Sequence, residues 1–271
     1  MTPHDLDIRL QTVTAITRDA GKLALGYFVQ RETLEVEHKG MQDLVSIADK
    51  NTEDFIRAGL SQAFPDDLII GEEGGTEAAR ASGPIWIIDP IDGTMNFLRG
   101  IPYWSVAVAL VVDGVLQIGI TYDPVHDELY TARRGGGARR NGQVIRVSGA
   151  DDPKKSVVGA TFGFKMSIDG YVTLVKAVLD GGSDHRRLGS TALMMAHVSD
   201  GRLDACATLQ CNSWDVIGGL MLVEEAGGIT SNFLDGAELD EPNRCFGTTP
   251  GLLDTVKNFP GLVGLATGVA G

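Results

Sequence analysis

Asp89 and Asp92 close an apolar run, Trp86-Ile87-Ile88, with Pro90 between them and Gly93-Thr94 directly after. Ile85 to Ile88 are β-branched or aromatic and read as a buried strand, and Pro90 fixes one backbone dihedral in the turn that follows. Both carboxylates can then face one pocket, where Gly93 lets a ligand approach the backbone. The N–H groups of the next segment offer an anion unpaired donors. The arrangement suits a metal and phosphate site. Helix capping by Asp92 explains the same residues without a ligand.

Two further acidic pieces favour the chemistry. Gly71-Glu72-Glu73-Gly74-Gly75 follows the apolar run Leu68-Ile69-Ile70, and adjacent acids between glycines add little to a fold. Trp214-Asp215 opens an amphipathic helical run, Val216, Ile217, Leu220, Met221 and Val223, that stops at Gly227-Gly228. Capping is again the plain reading of Asp215 taken alone. Three carboxylate-bearing element ends together make one oxygen-rich pocket, which hard cations prefer.

With these motifs in order, Glu72 of Gly-Glu-Glu, Asp89-Pro90-Ile91-Asp92-Gly93-Thr94, and Trp214-Asp215 followed by Glu225-Ala226-Gly227-Gly228, the chain resembles the inositol monophosphatase family, magnesium-dependent and lithium-sensitive phosphomonoesterases. The similarity runs from about Lys39 to about Thr248. The resemblance implies that Glu72, Asp89 and the Ile91 carbonyl hold one Mg²⁺, that Asp89, Asp92 and Asp215 hold a second, and that a third ion sits near Glu72. It also implies that Asp49, in Asp43-Leu44-Val45-Ser46-Ile47-Ala48-Asp49, pairs with Thr94 to orient the attacking water; with Glu72 these are the expected catalytic residues. An N-cap role for Asp49, with Glu53 in the first turn of its helix, is compatible with that pairing. Gly93, Thr94, Ser190 and Thr191, with Asp92 and Asp215, are the expected substrate contacts. Taken alone, Ser190 reads first as an N-cap.

The composition restricts the alternatives. With 271 residues and 43% hydrophobic content the chain can bury a large core, and no apolar run is long enough to span a bilayer. The opening, Met1 to Asp7, lacks the basic and apolar regions of a secretory signal, so cytoplasmic residence is expected. Cys206, Cys211 and Cys245 form no C-x-x-C pair and read as free thiols, Cys206 in an apolar run as a core residue rather than a zinc ligand. A net charge of −13 argues against nucleic acid as a partner. A pocket built from Glu72, Asp89, Asp92 and Asp215 would repel an anionic substrate unless cations came first. Gly135-Gly136-Gly137, flanked by Arg133-Arg134 and Arg139-Arg140, could cradle a phosphate, but a surface hairpin is the favoured reading.

These residues need elements to position them. The pattern predicts a long helix over 5–29, a strand near 34–38, a helix over 50–63, and strands at 68–70, 85–88, 105–112, 115–122 and 128–132, with tight turns at Asp113-Gly114 and Asn141-Gly142. Strand and helix then alternate: 156–161, helix 169–180, 186–188, helix 190–199, 203–209, helix 215–226, 229–232 and 245–248. The tail after Pro260 is expected to be loosely held. The expected fold is α+β, a layered α-β-α-β-α sandwich of the inositol monophosphatase and fructose-1,6-bisphosphatase type. Residues 1–150 form an α+β half with most metal ligands and 151–271 an α/β half with Asp215, in one compact unit.

The expected activity is Mg²⁺-dependent hydrolysis of a small polar phosphate monoester by an activated water, with inositol monophosphate leading. Histidinol phosphate, fructose 1,6-bisphosphate and adenosine 3′,5′-bisphosphate are alternatives at the same site. A non-catalytic regulatory binding protein of this fold is a reading of a different class. The resemblance implies a homodimer without a membrane partner. One position departs from the family: where inositol-hydrolysing relatives usually carry a glutamate, this chain has Thr208, which predicts relaxed substrate choice; the alternative is that Thr208 only ends a buried strand and Gln210 or Asn212 takes over the contact.

Overall fold

A computed structural model describes residues 1–33, 36–40, 43–75, 82–163, 166–235 and 238–268. In chain order its elements are α1 (Pro3–Val29), β1 (Val36–Gly40), β2 (Asp43–Ser46), α2 (Ile47–Ala63), β3 (Leu68–Gly71), β4 (Pro84–Asp92), α3 (Thr94–Arg99), β5 (Ser105–Val112), β6 (Val115–Asp123), β7 (Glu128–Arg133), β8 (Gly137–Arg140), β9 (Gln143–Val144), β10 (Val157–Ala160), α4 (Ile168–Asp180), β11 (Asp184–Arg186), α5 (Thr191–Ser199), β12 (Ala205–Cys211), α6 (Ser213–Glu225), β13 (Ile229–Thr230), β14 (Asn243–Thr248) and α7 (Leu253–Val256).

The architecture is the α-β-α-β-α sandwich. A seven-stranded sheet runs β3-β4-β5-β6-β7-β8-β9, parallel only between β3 and β4. A five-stranded sheet runs β11-β10-β12-β14-β13, parallel at the β10 pairings and antiparallel at those of β14. Helices α1 and α2 cover the outer face of the larger sheet, α5 and α6 lie between the sheets, and α4 and α7 cover the outer face of the smaller one. Apolar clusters fill the spaces between these layers.

That central layer explains one difference from the sequence reading. The run expected to be amphipathic in α6 is apolar on all sides: Val216, Ile217, Leu220, Met221, Leu222 and Val223 are all buried. A helix covered by a sheet on each face has no solvent face. Gly119 of β6 permits the close approach, since a Cβ there would fall 2.2 Å from the Gly218 carbonyl oxygen.

Other boundaries moved for local reasons. The second helix begins at Ile47, not 50, because Ser46 caps it and Asp49, at the third helical position, closes a capping box. Asp49 is therefore not the N-cap, and Glu53 lies beyond the first turn. The strand β2 precedes it, pairing with β1; positions 34 and 35 of the expected first strand lie outside the described residues. The short strand expected at 186–188 is β11, at Asp184–Arg186. Both predicted tight turns place two successive residues in the left-handed region, Asp113-Gly114 at φ 50° and 75° and Asn141-Gly142 at 49° and 81°. The tail from Pro260 to Gly268 is not loose. Leu262 is buried, the Asn232 N–H donates to the Ala266 carbonyl at 2.8 Å, and Gly268 N–H donates to Thr230 at 2.8 Å.

Candidate metal centre

Strand β4 does not stop at Ile88 but continues through Pro90 to Asp92. Asp89 pairs with Ala107 and Asp92 with Ser105, so three steps on β4 oppose two on β5. In a regular strand residues three apart face opposite sides; the bulge restores them to one side. Pro90, which has no N–H to donate, fits at such a bulge. The Asp89 carboxylate turns back to accept from the Ile91 N–H at 3.1 Å, and the Ile91 carbonyl accepts from Thr94 Oγ1 at 3.1 Å.

Short helix α3 is anchored from below by Phe97, whose ring stands edge-on to Trp104 with centroids 4.9 Å apart. Its first cap is Gly93, in the left-handed region at φ 98°. What approaches Gly93 is the segment before α5: a Cβ there would lie 3.0 Å from the Gly189 carbonyl oxygen.

Asp92 does cap a helix, but not the one that follows it. Its carboxylate accepts from the backbone N–H groups of Ala192, at 2.8 Å, and Thr191, at 3.2 Å, and from the Ser190 hydroxyl. The strand end of one sheet is thus fastened to the start of α5. Ser190 also caps α5 by accepting from the Leu193 N–H at 3.3 Å. Burial pushes the Asp92 carboxyl up to about 6, against the opposing pull of these donors.

Asp215 enters from the first turn of α6. Asn212 is the N-cap, and its backbone N–H donates to the Asp215 carboxylate at 2.7 Å in a capping box. One carboxylate oxygen from each of Asp89, Asp92 and Asp215 lies within 4.8 Å of the other two. Glu72 is brought near Asp89 by the β3–β4 pairing, close enough for its charge to act on the Asp89 carboxyl. Gly71 is in register with Ile88, and the Glu72 N–H donates to the Ile88 carbonyl at 3.3 Å, which sets Glu72 beside Asp89.

The electrostatics fit a cation. Asp89 is 1% exposed, and its carboxyl is pushed well above the usual range, first by burial and then by the charges of Glu72, Asp92, Asp215 and Asp49. A buried oxygen-only donor set with clustered negative charge suits Mg²⁺ better than a soft metal.

Asp49 is 2% exposed and accepts from both the backbone N–H and the hydroxyl of Ser46 at 2.8 Å. Its other carboxylate oxygen lies 3.4 Å from Thr94 Oγ1, a long contact, and the single hydroxyl proton there has a nearer acceptor in the Ile91 carbonyl at 3.1 Å. Burial raises the Asp49 carboxyl to about 6.

Some residues singled out in the sequence lie elsewhere in function. Thr208 is fully buried in β12, and its hydroxyl donates to the Gln210 carbonyl at 3.1 Å. The glycine loop between β7 and β8 is a hairpin whose Gly135 and Gly137 N–H groups donate to the Glu225 carboxylate at 2.8 and 2.7 Å. Its anion is the protein's own. The three cysteines are free and buried, with the Cys211 and Cys245 sulfurs 3.8 Å apart across β12 and β14.

The sequence reading missed Asn96, whose side-chain amide donates to the Tyr103 carbonyl at 2.7 Å and the Leu188 carbonyl at 2.8 Å. It ties α3 to the approach to α5, and its partners lie too far along the chain for any local signal. The sequence reads Glu53 only as a first-turn residue of its helix; its pairing with Arg57 four residues on was the available sign of another role.

A model of the inositol monophosphatase family matches residues 5–255. The Nus factor SuhB of Pseudomonas aeruginosa is 35% identical over 230 residues, covering 83% of this chain and 85% of that protein. Among solved structures, the extragenic suppressor protein suhB from Bartonella henselae superposes with a TM-score of 0.86 at 30% identity, covering 95% of this chain and 99% of that one. The Thermotoga maritima IMPase superposes with a TM-score of 0.81 at 31% identity, covering 92% and 95%.

Proposed function

This chain belongs to the inositol monophosphatase family, and on that premise we propose that it is a Mg²⁺-dependent phosphatase of small polar phosphate monoesters, inositol monophosphate first among them. The observation that carries the proposal is the convergence of Asp89, Asp92 and Asp215 from two separate elements, with Glu72 beside them. Glu72, Asp89 and the Ile91 carbonyl would hold one ion, and Asp89, Asp92 and Asp215 another. Bound there, Mg²⁺ supplies positive charge to the phosphate oxygens and acidifies a water.

The chain's own groups do the rest. Thr94 takes the proton that leaves the attacking water as it passes its own hydroxyl proton to Asp49, which burial makes a better base than a surface carboxylate. Backbone donors at Gly93 and Thr94, with Thr191 at the start of α5, orient the substrate; Ser190, expected as a further contact, is 1% exposed with its hydroxyl bonded to Asp92 and the Leu193 N–H, and it positions α5 instead. Asp92 serves both sides, since a carboxylate oxygen that accepts from α5 keeps lone pairs for a cation. Residues 1–150 and 151–271 act as halves of one compact unit, located in the cytoplasm. No helix among the described residues is long and apolar enough to cross a membrane.

A second reading, a regulatory binding protein on the same fold, is supported by the name Nus factor carried by the Pseudomonas relative. The expectation that nucleic acid is no partner rests on net charge alone and draws no support from that relative.

Substrate choice is the test of the finer claim. With Thr208 buried, no carboxylate at that position can grip the inositol ring, so kcat/KM for inositol 1-phosphate should stay within about 10³-fold of that for histidinol phosphate, fructose 1,6-bisphosphate and adenosine 3′,5′-bisphosphate. A larger preference would show that Gln210, Asn212 or another group has taken over ring recognition.

A further inference from the structure

We propose that Glu53 is a positioning residue for Glu72: with Arg57 it clamps the loop Gly71–Gly75 so that Glu72 and Asp89 face one cation. The inference rests on the metal-site reading above and extends it to a residue that touches neither ion nor substrate.

Glu53 follows Asp49 by four residues on α2, so both point from one helix face toward the end of β4. It is 1% exposed. One carboxylate oxygen accepts from Arg57 Nε at 2.7 Å, and the other accepts from the backbone N–H of Glu73 at 2.9 Å. Arg57 in turn donates to the Ile69 carbonyl at 3.3 Å, on the strand that enters the loop. The pair therefore grips the loop before and after Glu72.

The loop's composition answers that grip. A Cβ on Gly71 would fall 2.5 Å from a Glu53 carboxylate oxygen, and one on Gly74 would fall 2.4 Å from an Arg57 guanidinium nitrogen. These two glycines make room for the ion pair. Gly71 N–H donates to the Gly75 carbonyl at 3.4 Å and closes the loop, while Glu72 N–H keeps the β4 register. An ordinary surface pair four residues apart on a helix would not reach a loop twenty residues on. A buried pair is weak evidence for stability; what this one does is hold backbone groups of the loop, the Ile69 carbonyl and the Glu73 N–H. Outer partners that orient a metal ligand typically alter metal affinity 10–100-fold when removed.

The test compares full-length wild type, Glu53→Gln, Gly71→Ala and Ile56→Val by calorimetric Mg²⁺ titration, thermal melting and Mg²⁺-dependent phosphate release. Glu53→Gln keeps the shape but weakens the clamp from the helix; Gly71→Ala displaces the same carboxylate from the loop. Ile56→Val trims a buried residue on the same helix and controls for stability alone. Both clamp variants should bind Mg²⁺ about 10-fold more weakly. They should need correspondingly more Mg²⁺ for half-maximal rate and regain most of kcat at saturation, while Ile56→Val lowers the melting temperature without moving affinity. Wild-type Mg²⁺ affinity in either folded clamp variant, or an equal loss in Ile56→Val, overturns the proposal. A wild type that binds no Mg²⁺ and releases no phosphate defeats instead the metal-site reading beneath it.

Discussion

Thr94 and Asp49 meet at 3.4 Å, a contact long enough to need tightening before a proton can pass. If they act as one unit, Thr94→Ala and Asp49→Asn should each remove most of kcat, and the double variant should be little slower than either. Multiplicative losses in single-turnover assays would separate them. Burial also fixes a pH signature. The Asp49 and Asp92 carboxyls are each raised from 3.8 to about 6, burial being the largest cause in both. The folded protein thus holds these protons more tightly than the unfolded chain, and the stability they contribute is full below about pH 4 and lost as pH rises through about 6. Cations then take the protons' place. Mg²⁺ should raise the melting temperature more at about pH 8 than at about pH 5, and an equal gain at both would contradict the assignment. The residue types were legible because clustered acids beside glycines are poor structure. The partner of Asp92 was not: the Ser190 hydroxyl lies 98 residues away, and a capping signal names a donor, not which helix supplies it.

At the scale of elements, periodicity placed the strands and helices whose pattern reports one covered face. It misjudged those governed by tertiary surroundings. Strand β4 runs through a proline because a bulge there needs no donor, and α6 looks amphipathic only until a second sheet covers its other side. Helix α4 has the opposite character. Ile168, Val172 and Leu179, at 68, 57 and 53% exposure, share its outer face at helical spacing. The stripe lies beside the edge strand β11 of the smaller sheet.

The whole molecule brings together groups that no single element could hold. The larger sheet supplies Asp89 and Asp92, the loop after β3 supplies Glu72, and α6, lodged between the sheets, supplies Asp215. Asp92 joins strand end to α5, and Asn96 joins α3 to the segment before it, so the cluster's geometry depends on how the layers stack. The order of the motifs revealed this convergence in the sequence; the supporting contacts of Glu53 and Asn96, set by distant backbone groups, became visible only in the fold. The most direct test of the account is phosphate release from inositol 1-phosphate and the three other monoesters by the full chain, in millimolar Mg²⁺ and in excess chelator, with Asp92→Asn alongside. The account predicts turnover in Mg²⁺, none in chelator, and a loss of about 10² or more in Asp92→Asn. Full turnover in chelator, or none with any monoester in Mg²⁺, would contradict it.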